Sequence, residues 1–235
     1  MMDDIPPFTG FPRQGLKFLE ELEQNNNRLW FNEHKQDYLD FLLKPGQSFV
    51  KSLGERLEAI FPGIEYGTET SGRGSIMRIH RDIRFSKEKT PYNTRFRAFF
   101  WEGINSKKME NPGFFIGFDS KSVFMHAGVH IFTKPILEKY RNAVVDSVKA
   151  ERLAKTLQTL EESGLYEMGG SHFKRVPRGY ETDYPNSDLL LYNGLHATTT
   201  KIPVNVLKKP ELVDVCYDHC VKMAPIHQWL VSLYN

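Results

Sequence analysis

The stretch RIHRDIRFSKEKTPYNTRFR, residues 78 to 97, concentrates the residue types best suited to grip an anion. Between Arg73 and Arg97 stand eight basic side chains, Arg73, Arg78, Arg81, Arg84, Lys87, Lys89, Arg95 and Arg97, against two acids, Asp82 and Glu88. That segment carries +6 in a chain of net charge +2, so the remainder is net −4. Guanidinium groups offer rigid two-pronged hydrogen bonds to carboxylates and phosphates, and Lys, Thr and Tyr add point charge and short-range donors. The candidate ligand-binding set is therefore Arg78, Arg81, Asp82, Arg84, Lys87, Lys89, Tyr92 and Arg95, with Asp82 orienting an arginine and with Arg97 able to converge from the next strand. If the site is catalytic, Lys89, Tyr92 and His126 are the candidates for acid or base, and the arginines would stabilise developing negative charge. The same residues also fit two other descriptions. One is a structural or partner-binding protein, in which the residues form a network of cross-strand ion pairs on charged edges. The other is a nucleic-acid-binding module that holds phosphates with the basic patch and stacks bases on Phe99, Trp101 or Tyr92.

Other motifs carry less. His80-Arg81-Asp82 matches the H-R-D of protein kinases, but the position five residues after the Asp is Lys87 instead of Asn, and no glycine-rich nucleotide loop precedes it. His126 and His130 invite a metal, yet four residues along an ideal strand span about 13 Å, too far for one ion. Cys216, His219 and Cys220 share a helix face without a clear fourth ligand, and read as two core cysteines with a surface histidine. No metal or cofactor is expected on these grounds. Neither a nucleophile elbow nor H-E-x-x-H nor a P-loop occurs.

The elements that must position the basic segment follow from periodicity. GLKFLEELEQ has helical spacing, and Asn25 to Asn27 supply a break and an N-cap for a second helix carrying Trp30, His34, Tyr38, Phe41 and Leu42 as a core stripe. A third helix runs from about Gln47 to Phe61 and stops at Pro62-Gly63. The period then becomes two. SIMRIHRDIRF places Met77, Ile79, Ile83 and Phe85 on one face together with Arg81, and TRFRAFFWEG alternates likewise. Pro91 makes Lys89 to Tyr92 a defined turn between these strands. GFFIGF, the turn DSKS and VFMHAGVHIF form a hairpin whose second strand points Val123, Met125, Ala127, Val129 and Ile131 inward. Two helices follow between Pro135 and Ser163, then a long turn-rich loop from 171 to 188, a short Leu-rich segment and a last helix from about Pro210 to Leu233. The expected fold is α+β, one domain over 1–235, with a mainly antiparallel sheet of about four or more strands and helices packed on one face.

Composition sets the outer limits. At 40% hydrophobic and 26% charged, 235 residues can bury a substantial core. The start, MMDDIPPFTGF, lacks the basic and apolar regions of a signal peptide, and no stretch approaches the roughly 18 apolar residues of a membrane span. Two cysteines suit a reducing compartment, so a cytoplasmic location without a membrane partner is the expectation. A sequence pI near 8.4 is too mild for the whole surface to hold nucleic acid.

RIHRDIRFSKEKTPYNT, together with FLEELEQNNNRLWFNEHKQDY, GVHIF and VPRGYETDYP, resembles a widespread family of conserved hypothetical proteins, a domain of unknown function found in bacteria and fungi. Its pattern runs R-I-x-R-D-x-R-F-S-K-D-K-T-P-Y in the centre, and here Glu88 stands where Asp is usual. The resemblance covers nearly the whole chain and implies a compact domain with a shared central motif. It implies no particular activity, so the site must be argued from its residues.

Overall fold

The computed structural model describes residues 4–70, 72–105, 107–180 and 185–234. It is an α+β protein whose five strands order as β1-β2-β3-β5-β4, with β1 at Phe96–Trp101, β2 at Gly113–Phe118, β3 at Val123–Val129, β4 at Tyr166–Ser171 and β5 at Tyr192–Thr199. The helices are α1 at Arg13–Gln24, α2 at Arg28–Glu33, α3 at Lys35–Tyr38, α4 at Lys44–Glu58, α5 at Lys134–Val145, α6 at Ser147–Glu162, α7 at Leu212–Lys222 and α8 at Ala224–Val231. No helix among the described residues is long and apolar enough to cross a membrane. The chain divides into two compact units. The first comprises Met1–Phe100, Phe115–Phe124 and Ile202–Asp218, and the second comprises Trp101–Phe114, Met125–Lys201 and His219–Asn235.

In the first unit the helices form where periodicity places them. Asn27 caps α2 by accepting from the Trp30 N–H at 3.0 Å. A π-helical turn at Leu39–Leu43 then joins α3 to α4, which takes Pro45 in its first turn, where the missing N–H is harmless. The core is aromatic. Phe11 packs its ring against Phe8, Phe49, Phe96 and Phe118 with centroids 4.5 to 6.1 Å apart. The Trp30 stripe is half-buried except at Leu42, which is buried: Trp30 lies on His34 and against Phe18, which also meets Tyr38. The β2–β3 turn closes as read, with one oxygen of Asp119 accepting from the N–H groups of Lys121 and Ser122 and from the Ser122 hydroxyl.

Residues 75 to 93 depart from expectation. In place of a regular strand there is an irregular arm. Its backbone pairs with β1 through Met77 N–H to Arg97 O (2.9 Å) and Phe99 N–H to Ser75 O (3.1 Å), then folds on itself through Arg81 N–H to Pro91 O (2.8 Å) and Asn93 N–H to Ile79 O (2.7 Å). Single bridges result, Ile76 with Ala98 and His80 with Tyr92, and at the second of them Pro91 has no N–H to extend the ladder. The alternation therefore fails at the tip. Ile79 is buried, but Ile83 is half-buried and Phe85 is 94% exposed.

In the second unit, Asp146 caps α6 through the N–H groups of Val148 and Lys149, and Gly164 at φ +67° ends that region. The buried Tyr140 donates to Leu189 O at 2.9 Å, and the Trp229 indole donates to Lys149 O at 3.2 Å. The last helix is two helices, since Pro225 restarts it as α8. The C-terminal part of β3 pairs antiparallel with β5, and β5 with β4. Neither β4 nor β5 is expected from the sequence, which places a turn-rich loop at 171–188 and a short Leu-rich segment after it. Residues 181 to 184 of that loop lie outside the described residues. Along β3 and β5 the face of Ala127, Val129, Leu195, Ala197 and Thr199 is buried, while His126, Gly128, His196 and Thr198 on the other face stay partly exposed. Ile131, expected to continue the inward face, is 68% exposed because β3 ends at Val129.

Candidate functional site

The basic residues of the arm separate into groups with different surroundings. At the exposed tip, Arg84 makes a two-pronged pair with Asp82, at 2.9 Å from Nε and 2.6 Å from the terminal nitrogen, and this holds the Asp82 carboxyl down at about 2. Asp82 thus orients Arg84 and leaves Arg81 to other partners. Lys89 donates to the Ile83 carbonyl at 3.0 Å, and Lys87 is exposed. The Arg81 guanidinium reaches back across the tip to the Thr90 and Ser86 hydroxyls.

Tyr92 is an anchor of the arm. It is 4% exposed and stacks on Phe31 at 4.1 Å. Its backbone is bracketed by one side chain: Asn26 accepts from the Tyr92 N–H at 3.0 Å and donates to the Tyr92 carbonyl at 2.9 Å. The pairing imitates a neighbouring strand with a carboxamide. These contacts describe a packing role for Tyr92.

Among the described residues, three clefts that border the arm within the first unit can be compared. One of about 280 Å³ is lined by Arg28, Asn32, His80, Arg81 and Tyr92. A second of about 480 Å³ brings Arg78 and His80 to Lys35 and Tyr38, whose hydroxyl is pushed up to about 12 by burial. A third, of about 310 Å³ and mostly polar, is lined by Asn93, Thr94, Arg95, Arg97 and Ser120 beside Asp119 and Glu23. Of the candidate set, Arg81 and Tyr92 line the first of these clefts, Arg78 the second and Arg95 the third, while Asp82, Arg84, Lys87 and Lys89 line none of the three.

Within the polar cleft the two arginines differ. Arg95 is paired with Asp119 at 2.9 Å. Arg97 is more enclosed and donates from a terminal nitrogen to the Arg78 carbonyl at 3.2 Å, while its Nε is buried without a hydrogen-bond partner. Burial, and then the positive charge of Arg81, pull its pKa below the ordinary arginine range. A guanidinium held beside another cation, with a donor unanswered, is where an anion gains most. Among the described residues Arg81 forms no buried pair with an acid, so Arg81→Met should lower stability by less than about 1 kcal/mol. Chemical denaturation checks this, and a loss near the roughly 3–5 kcal/mol of a broken buried pair would contradict it.

His126 lies in the second unit, on the partly exposed face of its sheet, and it is not alone. Its ring centroid is 5.2 Å from that of His130 and 5.7 Å from that of His196, which are 4.4 Å from each other. The argument that strand spacing keeps His126 and His130 about 13 Å apart does not hold for the rings. Gly128 between them adopts φ +136°, outside strand geometry, and β3 ends one residue later. His196 was not singled out from sequence, and only the cross-strand register Gly128 to His196 reveals it. The Cys216 and Cys220 thiols are buried, with Cys216 pushed up by burial, and His219 is hydrogen-bonded to the Tyr166 hydroxyl at 2.9 Å.

The model of a family described as conserved hypothetical protein (DUF2461) matches residues 14–229, and the chain belongs to that family. No curated protein and no solved structure matches it.

Proposed function

We propose that this member of the family binds a small phosphorylated or carboxylated ligand on the arm, with Arg97 as the principal cation and Arg81 adding positive potential. The observation that supports this is the state of Arg97, enclosed, with Nε unpartnered, while Arg84 and Arg95 are each matched by an acid. Asn93, Thr94 and Ser120 add uncharged donors around the same cleft, whose volume of about 310 Å³ suits a small anion. A ligand oxygen would supply the acceptor that Nε lacks and offset the repulsion from Arg81. The reading concerns binding. Lys89 sits at the exposed tip and Tyr92 is packed in the core, so neither adds support for acid–base chemistry.

The test is a thermal-shift screen of the full chain with inorganic phosphate, pyrophosphate, sugar phosphates, nucleotides and di- and tricarboxylates. A binder at about 100 times its Kd should stabilise the protein by roughly 2.7 kcal/mol. Arg97→Met should abolish that gain while leaving the ligand-free protein as stable as before or more so, because it removes an uncompensated cation. Arg84→Ala at the tip should leave binding intact. Silence across the panel, or a gain that survives Arg97→Met, would sink the reading.

One observation favours a second reading, a nucleic-acid surface. Phe85 stands 94% exposed at the arm tip beside Arg84, as a stacking residue would. The aromatics expected from sequence do not serve it: Phe99 and Tyr92 are each only 4% exposed, and Trp101 is held against Lys108. Single-strand binding at physiological salt that is lost in Phe85→Ala would promote this reading over the first.

A further inference from the structure

We propose that His126, His130 and His196 form a binding site for a divalent transition-metal ion of the zinc, nickel or copper class, on the partly exposed sheet face of the second unit. The first argument is spacing. With metal–nitrogen bonds of about 2.0–2.1 Å, three imidazoles around a tetrahedral ion hold their ring centroids roughly 5 Å apart. Here the three separations are 4.4, 5.2 and 5.7 Å, and the rings are inclined to one another by 54°, 68° and 88° instead of being stacked flat.

The second argument is the floor on which the rings lie. His196 is flanked in register by Gly128 on β3 and Gly169 on β4. A Cβ at Gly169 would come within 2.3 Å of the His196 Nε2, and one at Gly128 within 3.0 Å of the His196 Cβ. Glycine at these positions is a poor choice for strand stability, and it leaves room for a ring to lie flat and to turn. On the same face, Glu167 sits in register with Thr198 and lends a negative charge to that row.

The third argument is donor chemistry. The Thr198 hydroxyl meets the His126 Nδ1 at 2.6 Å, the kind of contact that fixes an imidazole tautomer. If Nδ1 carries the proton, the lone pair is at Nε2. His196 has a buried Nδ1 with no hydrogen-bond partner.

As placed, no three such groups among the described residues are set to hold an ion. The His196 Nε2 lies beside Gly169, and its Nδ1 is buried without a hydrogen-bond partner. A half-turn about Cβ–Cγ exchanges nitrogens for carbons within the same ring plane. It sacrifices no hydrogen bond at Nδ1, which has none to lose. An ion at the cluster would then supply a partner to an imidazole whose Nδ1 has none.

The experiment is calorimetric titration of the tag-free, chelator-treated full chain with Zn²⁺ and with Ni²⁺. A Co²⁺ titration followed by visible absorption reports the geometry. One equivalent should bind, with a low-symmetry Co²⁺ spectrum. His130→Ala, at an exposed position where folding is little at risk, should weaken binding at least about tenfold, the lower bound for losing even a supporting group, and His196→Ala should do so as well. His219→Ala, outside the cluster, should leave it unchanged. Absence of one-equivalent binding in the parent chain, or affinity retained in His130→Ala, overturns the proposal. Anion binding through Arg97 is scored separately and stands or falls without it.

Discussion

Tyr92→Ala is expected to destabilise the protein by about 3–5 kcal/mol, the cost of truncating a buried aromatic ring. The ring is 4% exposed, stacks on Phe31 at 4.1 Å and lies 5.0 Å from His80, so its removal opens a cavity between the arm and α2. The Asn26 bracket grips only the backbone of Tyr92 and cannot fill that cavity. Tyr92→Phe keeps the stack and should retain most of the stability. Urea denaturation of the two variants measures the difference. Similar losses in both would mean that the hydroxyl, and not the ring, is what matters, and would return Tyr92 to the list of chemical groups. Because the arm carries Arg81 and leads into Arg97, Tyr92→Ala should also weaken any anion response that Tyr92→Phe preserves.

The second large effect is expected at Gly170. Its φ of +107° already disfavours a side chain, and an added Cβ would come within 2.1 Å of the Gly194 carbonyl oxygen on β5. That neighbour is backbone in a paired strand, so it cannot swing away as a side-chain tip could. Gly164 is the internal control. It has φ +67° and nothing within 4 Å of its notional Cβ, so Gly164→Ala should cost only the roughly 1–2 kcal/mol of a left-handed residue. Gly170→Ala should exceed that clearly and should loosen the β4–β5 pairing, visible as faster amide exchange at His196 and Ala197. Equal losses at the two glycines would show that the strands can separate without penalty.

Those glycines also explain where sequence reading stopped. β3 was legible because Val123, Met125, Ala127 and Val129 form an unbroken apolar face at period two, with Phe124, His126 and Gly128 on the half-buried face. β4 and β5, YEMGGS and YNGLHATT, lack the branched apolar run of an ordinary strand. Gly169, Gly170 and Gly194 read as turn formers, yet the ladder needs them where another backbone or the His196 ring comes close. The arm failed in the opposite sense. IMRIHRDIRF alternates convincingly, but Pro91 cannot extend the ladder and the partner that holds Tyr92 is a side chain 66 residues away. Helix caps, by contrast, are local and were readable, as at Asn27. The basic cluster itself was plain in the sequence. Which arginine keeps an unanswered donor was not, because it depends on Asp119 taking Arg95 and Asp82 taking Arg84.

The Asn26 clasp bears on the order in which this chain folds. Joining residues 26 and 92 closes a loop of 66 residues, and the entropy of closure grows with the logarithm of that length. Neither bond to Tyr92 can form until the turn between α1 and α2 has fixed Asn26 in place. The helices, built from contacts a few residues apart, have no such requirement. The arm is thus expected to assemble late, so that a newly made chain acquires its helical scaffold before it acquires the setting in which the charge of Arg81 acts on Arg97.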